Sequence, residues 1–126
     1  MAVSGGIVEY FPEGARLTYT CSAAVTAGQL VEATGDRRIG PAGANSLKCQ
    51  GVALRTGSAA EDQITVANDG VWPLTASGAI AEGDYVKAGA AGTVVAIAID
   101  GDPRLIIGRA IQDIANAVAG PIKMML

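Results

Sequence analysis

Apolar and polar residues alternate along several short stretches of this chain, which is the pattern of β-strands with one buried face. Leu17, Tyr19 and Cys21, for example, alternate with arginine and threonine. Turn signals such as Asn68-Asp69-Gly70 lie between such stretches. The predicted strands occupy residues 17–21, 28–33, 51–54, 64–67, 71–74, 83–88, 93–99, 105–111 and 122–126.

The remaining segments carry weaker signals. Residues 34–48 contain three glycines and a proline among polar residues, which predicts a loop. The strands at 93–99 and 105–111 flank an Asp-Gly-Asp-Pro turn, so we expect them to pair as a hairpin. Residues 111–118 have apolar positions at helical spacing but stop at Gly120-Pro121, which predicts a short helix or an irregular loop.

The chain repeats itself. Residues 25–33 read VTAGQLVEA, and residues 80–88 read IAEGDYVKA, 55 positions later. Residues 51–54 match residues 108–111, 57 positions later, and residues 64–66 match residues 122–124, 58 positions later. The order of these matches predicts one β unit built twice, at about 24–68 and 79–124. The predicted fold is all-β, a mainly antiparallel small barrel or sandwich with at most one short helix.

A glycine-containing segment with an apolar run precedes this domain. Residues 1–13 are too short to form a core, and we interpret them as an N-terminal arm preceding a single domain at 14–126. Ile7, Val8, Tyr10 and Phe11 are the predicted contacts of this arm with a partner surface, and the alternative is that Tyr10 and Phe11 pack on their own domain. Trp72 is expected in the core or at a contact between subunits.

Composition favours a protein that associates with partners. Half of the residues are apolar but only 4% are aromatic, so the core consists of small side chains that stabilise less per residue than Leu and Phe. The net charge of −3 argues against a nucleic-acid surface, and Arg37-Arg38 is expected to be a solvated loop. We therefore expect neither nucleic acid nor membrane as a partner, since no apolar run approaches about 20 residues.

The chain lacks the side chains of common catalytic sites. It contains no histidine, the usual general base and metal ligand, so an enzymatic role, a cofactor and a metal site are not expected. Asp100 and Asp102 are expected at a solvated hairpin tip. Cys21 and Cys49 are expected to remain reduced in a protein that folds in a cytoplasm.

Five elements in order resemble the capsid cement, or head decoration, proteins of tailed bacteriophages. They are Ala24–Val31, Gly51–Leu54, Ile64–Leu74, Ala81–Val86 and Ile107–Ile111. Gln29 stands where an acid is common in that family, and Arg109 where a small apolar residue is common. The resemblance implies a structural virion protein on the capsid exterior, which binds the major capsid protein, commonly as a homotrimer, and stabilises the shell by bridging its subunits.

Two other classes of β module share part of this pattern. Residues 80–94 are similar to the strand-turn-strand motif of SH3-like nucleic-acid-binding barrels, although Lys87 is the only base there. Biotinyl and lipoyl carrier domains are also twofold β structures. Their modified lysine lies at an exposed hairpin tip, and Lys123 is the residue to compare.

Overall fold

A computed structural model describes residues 16–98 and 100–126. The predicted arm at 1–13, with Ile7, Val8, Tyr10 and Phe11, lies outside the described residues. The described part contains ten β-strands and two 3-10 turns, at Ala90–Gly92 and Pro103–Leu105. The strands are β1 (Leu17–Cys21), β2 (Leu30–Gly35), β3 (Arg38–Pro41), β4 (Cys49–Ala53), β5 (Gln63–Ala67), β6 (Val71–Thr75), β7 (Tyr85–Ala88), β8 (Val94–Ala96), β9 (Gly108–Ala110) and β10 (Ala119–Met124).

The strands form two sheets of five. In the first, β1-β3-β2-β4-β5 close into a barrel, because β1 pairs with β3 in parallel on one side and with β5 antiparallel on the other. The second sheet has the order β6-β10-β9-β7-β8. A parallel bridge between Ala76 and Val94 joins the end of β6 to β8. The all-β prediction is confirmed. The first sheet is a closed barrel and the second is a sheet whose ends this bridge joins, and we call them the first and second barrels.

The two barrels use the same strand order and the same backbone hydrogen bonds. Val25 and Gly57 exchange two hydrogen bonds of 2.8 Å, and Ile80 and Ile114 exchange two of 2.8 and 2.9 Å. Three further backbone bonds of the first barrel have a counterpart in the second. In the first barrel they are Gly28 N to Ala53 O, Cys21 N to Asp62 O and Ser22 N to Ile39 O. Their counterparts, in the same order, are Gly83 N to Ala110 O, Ala76 N to Val118 O and Ser77 N to Val94 O. We infer that the barrels are two copies of one unit, which extends to β1 and β6.

The hydrogen bonds also correct one spacing of the repeat. Ala53 lies opposite Val66 and Ala110 lies opposite Ile122, so Val66 corresponds to Ile122, 56 residues later. The sequence match of residues 64–66 with 122–124 is therefore two residues out of register. A two-residue shift keeps the same face of a strand inward, so the apolar pattern alone does not reveal it.

Two clusters of buried side chains fill the barrels. The first barrel holds Cys21, Val25, Val31, Ile39, Ala53, Ile64 and Val66. The second cluster is larger and contains the core of the second barrel, including Leu74, Val86, Val94 and Ile122. Leu30, Ala42 and Val52 of the first barrel also belong to this second cluster. They face away from their own barrel and join the two units.

Two local predictions were wrong. The predicted loop at 34–48 contains β3, whose Ile39 is fully buried in the first barrel. The predicted hairpin does not form, because β7 lies between β8 and β9 in the sheet. Of the two alternatives predicted for residues 111–118, the structure has the irregular loop, since Ile114 bridges Ile80 and the chain then turns toward β10.

Candidate functional site

Trp72 lies beside Arg16, the first residue that the structure describes. It is half-buried against the core of the second barrel, and its indole N–H donates a 2.6 Å hydrogen bond to the carbonyl of Asp69. The guanidinium carbon of Arg16 lies 5.3 Å from the centre of the Trp72 ring. Arg16 also pairs with the Asp69 carboxylate at 3.2 Å. A cation–π contact and an ion pair therefore hold the entry of the first barrel against the second.

The turn before Trp72 has a backbone geometry that favours glycine. Gly70 has a φ of +88°, and a Cβ there would lie 3.3 Å from the indole nitrogen of Trp72. The Asn68-Asp69-Gly70 turn thus places the Asp69 carbonyl under the indole. Arg16, Asp69 and Trp72, which we call the entry site, come together as a result. The sequence indicated the turn and Trp72, but not Arg16 or its contacts.

The outer surface of the second barrel carries a row of exposed side chains on four neighbouring strands. Val71, Lys123, Arg109 and Tyr85 lie directly opposite one another on β6, β10, β9 and β7. Arg109 lies over the ring of Tyr85 at 5.0 Å, and its Nε donates a 3.0 Å hydrogen bond to the carbonyl of Gly83. Two cations flanked by apolar groups give this surface both charge and apolar area.

One departure from the family pattern has a structural explanation. The side-chain oxygen of Gln29 accepts a 2.8 Å hydrogen bond from the N–H of Thr26, and Asp84 Oδ2 accepts one of 3.1 Å from Ala81. These positions correspond in the two barrels, so Gln29 caps its turn as the acid does in the second copy. The replacement keeps the acceptor that this turn requires.

Asp102, one of the two acidic residues at the predicted hairpin tip, forms a local ion pair. Asp102 Oδ2 lies 2.8 Å from Arg104 Nη2, and Asp102 Oδ1 accepts a 2.9 Å hydrogen bond from the backbone N–H of Arg104. The hydrogen bonds from Arg104 lower the pKa of Asp102. In the first barrel, the hydrogen bond and charge of Arg38 likewise lower the pKa of Glu61. These carboxylates stabilise turns and are held in the charged form.

Both cysteines are free thiols. Burial raises the pKa of Cys21, and the charge of Asp62 adds to that rise. Burial is also the main cause of the raised pKa of Cys49. Since the thiolate is the reactive form, both thiols are poor nucleophiles at neutral pH.

The described residues hold neither a metal-binding cluster nor a membrane-spanning helix. Among residues 16–98 and 100–126, no three His, Cys, Asp or Glu side chains lie together in a way that could hold a metal ion. No helix in this part of the chain has the length and apolarity needed to cross a bilayer.

The lysines relevant to the two other classes occupy strands. Lys123 lies within β10, opposite Val71 on one side and Arg109 on the other. A carrier domain needs its modified lysine at an exposed hairpin tip, and this position does not provide it. Lys87 lies within β7, half-buried and opposite Val95.

Comparison with known proteins identifies the family. The sequence profile of the phage cement protein family matches residues 11–126, and the chain belongs to this family. It is therefore a structural protein associated with phage capsids, as the resemblance in its sequence indicated. Among curated proteins, none matches the chain.

A solved structure shares the fold. The chain is similar to the head fiber gp8.5 N base of bacteriophage phi29, with a TM-score of 0.71 and 22% sequence identity. The match covers 88% of this chain and 93% of that one, so both barrels take part in it. At this identity the likeness concerns the fold.

Proposed function

We propose that this protein binds the outer surface of an assembled phage capsid and stabilises it by bridging subunits of the major capsid protein. The match to the phage cement protein family over residues 11–126 carries this proposal. The protein acts without catalysis, as a homotrimer on the virion exterior, after synthesis in the host cytoplasm. A structural role of this kind requires a rigid body and an adhesive surface rather than a reactive site.

The N-terminal arm supplies the adhesive surface in this proposal. Ile7, Val8, Tyr10 and Phe11 contact the capsid or the next subunit, and an extended apolar arm can add a strand to the edge of a neighbouring sheet. The entry site supports this view. Arg16, three residues after the arm in the sequence, is held by Trp72 and Asp69 beside β6, the strand at one end of the second sheet.

Avidity makes weak arm contacts sufficient. If one protein copy contacts two capsid subunits that are already held at a fixed distance, the second contact forms at a high effective concentration. The subunits must then separate against both contacts together. Trp72 takes part by holding Arg16, which follows the arm in the sequence.

Co-sedimentation with purified capsids tests this proposal. The full-length protein should pellet with capsids and should raise the temperature at which they rupture. A variant lacking residues 1–11 should stay in the supernatant while its near-ultraviolet circular dichroism remains that of the folded protein, because the entry site is kept. A full-length variant with Tyr10→Ser and Phe11→Ser is the matched control for arm length, and it should also lose binding.

Two results would contradict the proposal at different levels. Capsid binding by the variant without residues 1–11 would exclude the arm as the main contact. Full-length protein that remains in the supernatant at saturating capsid concentration would exclude capsid binding itself.

A further inference from the structure

One face of the repeated unit is covered in the first barrel and exposed in the second. Leu30 and Val52 lie opposite each other on β2 and β4, and Tyr85 and Arg109 lie at the corresponding positions on β7 and β9. Leu30 and Val52 are 0% and 2% exposed, because the second barrel covers them. Tyr85 is 39% exposed, and Arg109 is exposed as well. The face that packs inside the chain in one barrel is therefore open to solvent in the other.

The exposed face of the second barrel, which we call the open face, is apolar with two cations at its centre. Lys123 and Arg109 lie opposite each other, and their row continues to Val71 on one side and to Tyr85 on the other. Val71 is 49% exposed, and Ile111, two residues after Arg109, is 50% exposed. None of the ion pairs in the described part of the chain includes either cation. The open face therefore presents two positive charges to a partner, although the chain as a whole carries a net charge of −3.

A cavity of about 540 Å³ lies at the Tyr85 end of this row. Ile97, Pro103 and Ile106 supply apolar walls. Asp84 also lines the cavity, and its carboxylate already accepts a hydrogen bond from a backbone N–H of its own turn. A cavity of this size and lining has room for an aromatic side chain.

The N-terminal arm has a sequence that complements the open face. Residues 7–13 read IVEYFPE, with apolar side chains at positions 7, 8, 10 and 11 and carboxylates at Glu9 and Glu13. The carboxylates are complementary to the two cations of the open face, and the apolar side chains are complementary to the residues around those cations. Phe11 offers an aromatic ring for the cavity. Large aromatic side chains that fill a pocket are the usual anchors of contacts between proteins.

We propose that the open face binds residues 7–13 of a second copy of this chain. The carboxylates of the arm lie against the two cations, and Phe11 enters the cavity beside Tyr85. This inference names the surface that the arm contacts, and it therefore rests on the role of the arm in the proposed function. Because the arm and the open face are different surfaces, each chain contributes one and receives one. Such a contact generates a closed ring, as in a homotrimer, or a filament, rather than a twofold dimer.

The length of the connection favours a second copy over the chain's own arm. Arg16 immediately precedes β1 of the first barrel and is held by Trp72 and Asp69 beside β6. The cavity lies beyond β7, which is three strand spacings, or about 14 Å, from β6. The five-residue step from Phe11 to Arg16 reaches at most about 17 Å when fully extended. Since this path must also pass round β6 to the outer side of the sheet, a chain's own Phe11 falls short of the cavity.

Two single-cysteine variants distinguish contact between copies from contact within one chain. In a Cys49→Ser background, a chain with Pro12→Cys is co-expressed with a differently tagged chain that carries Ala98→Cys. Ala98 lines the cavity and is exposed, so a short bismaleimide crosslinker should join the two kinds of chain. Ala60→Cys replaces Ala98→Cys in the matched control, because Ala60 is equally exposed but lies on the first barrel and does not line the cavity.

Charge reversal tests the ionic part of the contact without crosslinking. Lys123 is exposed and has no ionic partner in the described structure, so Lys123→Glu should fold, with the near-ultraviolet circular dichroism of the wild type. This variant should associate about tenfold more weakly in analytical ultracentrifugation, because like charges then face each other. Adding Glu9→Lys should restore association, which a purely structural effect at residue 123 would not allow. Lys48→Glu, the same change at an exposed lysine of the first barrel, should associate as the wild type does.

Three results would overturn the contact. They are crosslinking between chains no greater than in the Ala60 control, crosslinking that occurs only when one chain carries both cysteines, and a Lys123→Glu variant that associates as the wild type does. The second result would place a chain's own arm on the open face. Failure of this contact is distinguishable from failure of the proposed function. A wild-type protein that is monomeric in solution but pellets with capsids would exclude the contact alone, whereas crosslinked copies that do not pellet would exclude capsid binding alone.

Discussion

Leu30 offers the most direct test of how the two barrels are joined. It lies on β2 of the first barrel, yet its side chain is fully buried in the cluster that fills the second. Leu30→Ala removes the buried side chain and leaves a cavity between barrels that cannot collapse without moving them. Substitutions of this kind cost about 2–5 kcal/mol, and we expect about 3 kcal/mol here.

Urea unfolding at a fixed protein concentration measures this loss. Trp72 is the only tryptophan and reports on the second barrel, while far-ultraviolet circular dichroism reports on both. At about 1–3 kcal/mol per molar urea, a loss of about 3 kcal/mol lowers the midpoint by about 1–3 M. Both probes should shift together. The matched control Leu47→Ala, at an exposed leucine, should change stability by less than about 0.5 kcal/mol.

The reasoning has clear conditions for failure. If the two leucine variants unfold at the same midpoint, Leu30 does not pack as described. If the circular dichroism transition shifts while the Trp72 transition stays in place, Leu30 stabilises only its own barrel and the units are not coupled through it.

Two further predictions concern the turns. Gly92→Ala should lower the melting temperature more than Gly78→Ala does. Both glycines have positive φ, but only a Cβ at residue 92 would meet side-chain and backbone atoms. Equal losses would mean that backbone strain alone sets the cost of both substitutions. Asp102→Asn should flatten the loss of stability on acidification. Arg104 depresses the pKa of Asp102, so the stabilisation is present above the unfolded pKa and is lost as pH falls through the folded pKa; unchanged pH dependence of the melting temperature would contradict this.

Strand positions were predictable because alternation of apolar and polar residues is a local signal. Which strands pair with each other could not be predicted from this local signal. Gly40 and Pro41 give β3 the local composition of a loop, and it becomes a strand because Ile39 is buried and pairing with β1 and β2 satisfies its backbone. The predicted hairpin was wrong for a related reason. Its turn residues were read correctly as a turn, but β7 supplies the partner for both flanking strands.

Part of the candidate site was also present in the sequence. Gln29 and Asp84 occupy the same place in the repeat and both carry a side-chain oxygen, so their common role as turn caps could have been inferred from the alignment of the halves. The exposure of Tyr85 could not have been inferred from the sequence. Leu30 and Tyr85 are both large residues at one strand position, and only the packing of the second barrel on the first distinguishes them.

The exchange of Leu30 and Val52 for Tyr85 and Arg109 has a physical basis. The first pair meets its partner surface within the same chain, so both residues can be wholly apolar. The second pair is exposed to water. Stacking of Arg109 over Tyr85 suits this exposure, because the ring loses apolar exposure while the guanidinium stays solvated. Aromatic residues and arginine are also enriched at contacts between separate chains. Arg109, where a small apolar residue is common in the family, is therefore suited to a strand position that is exposed to solvent.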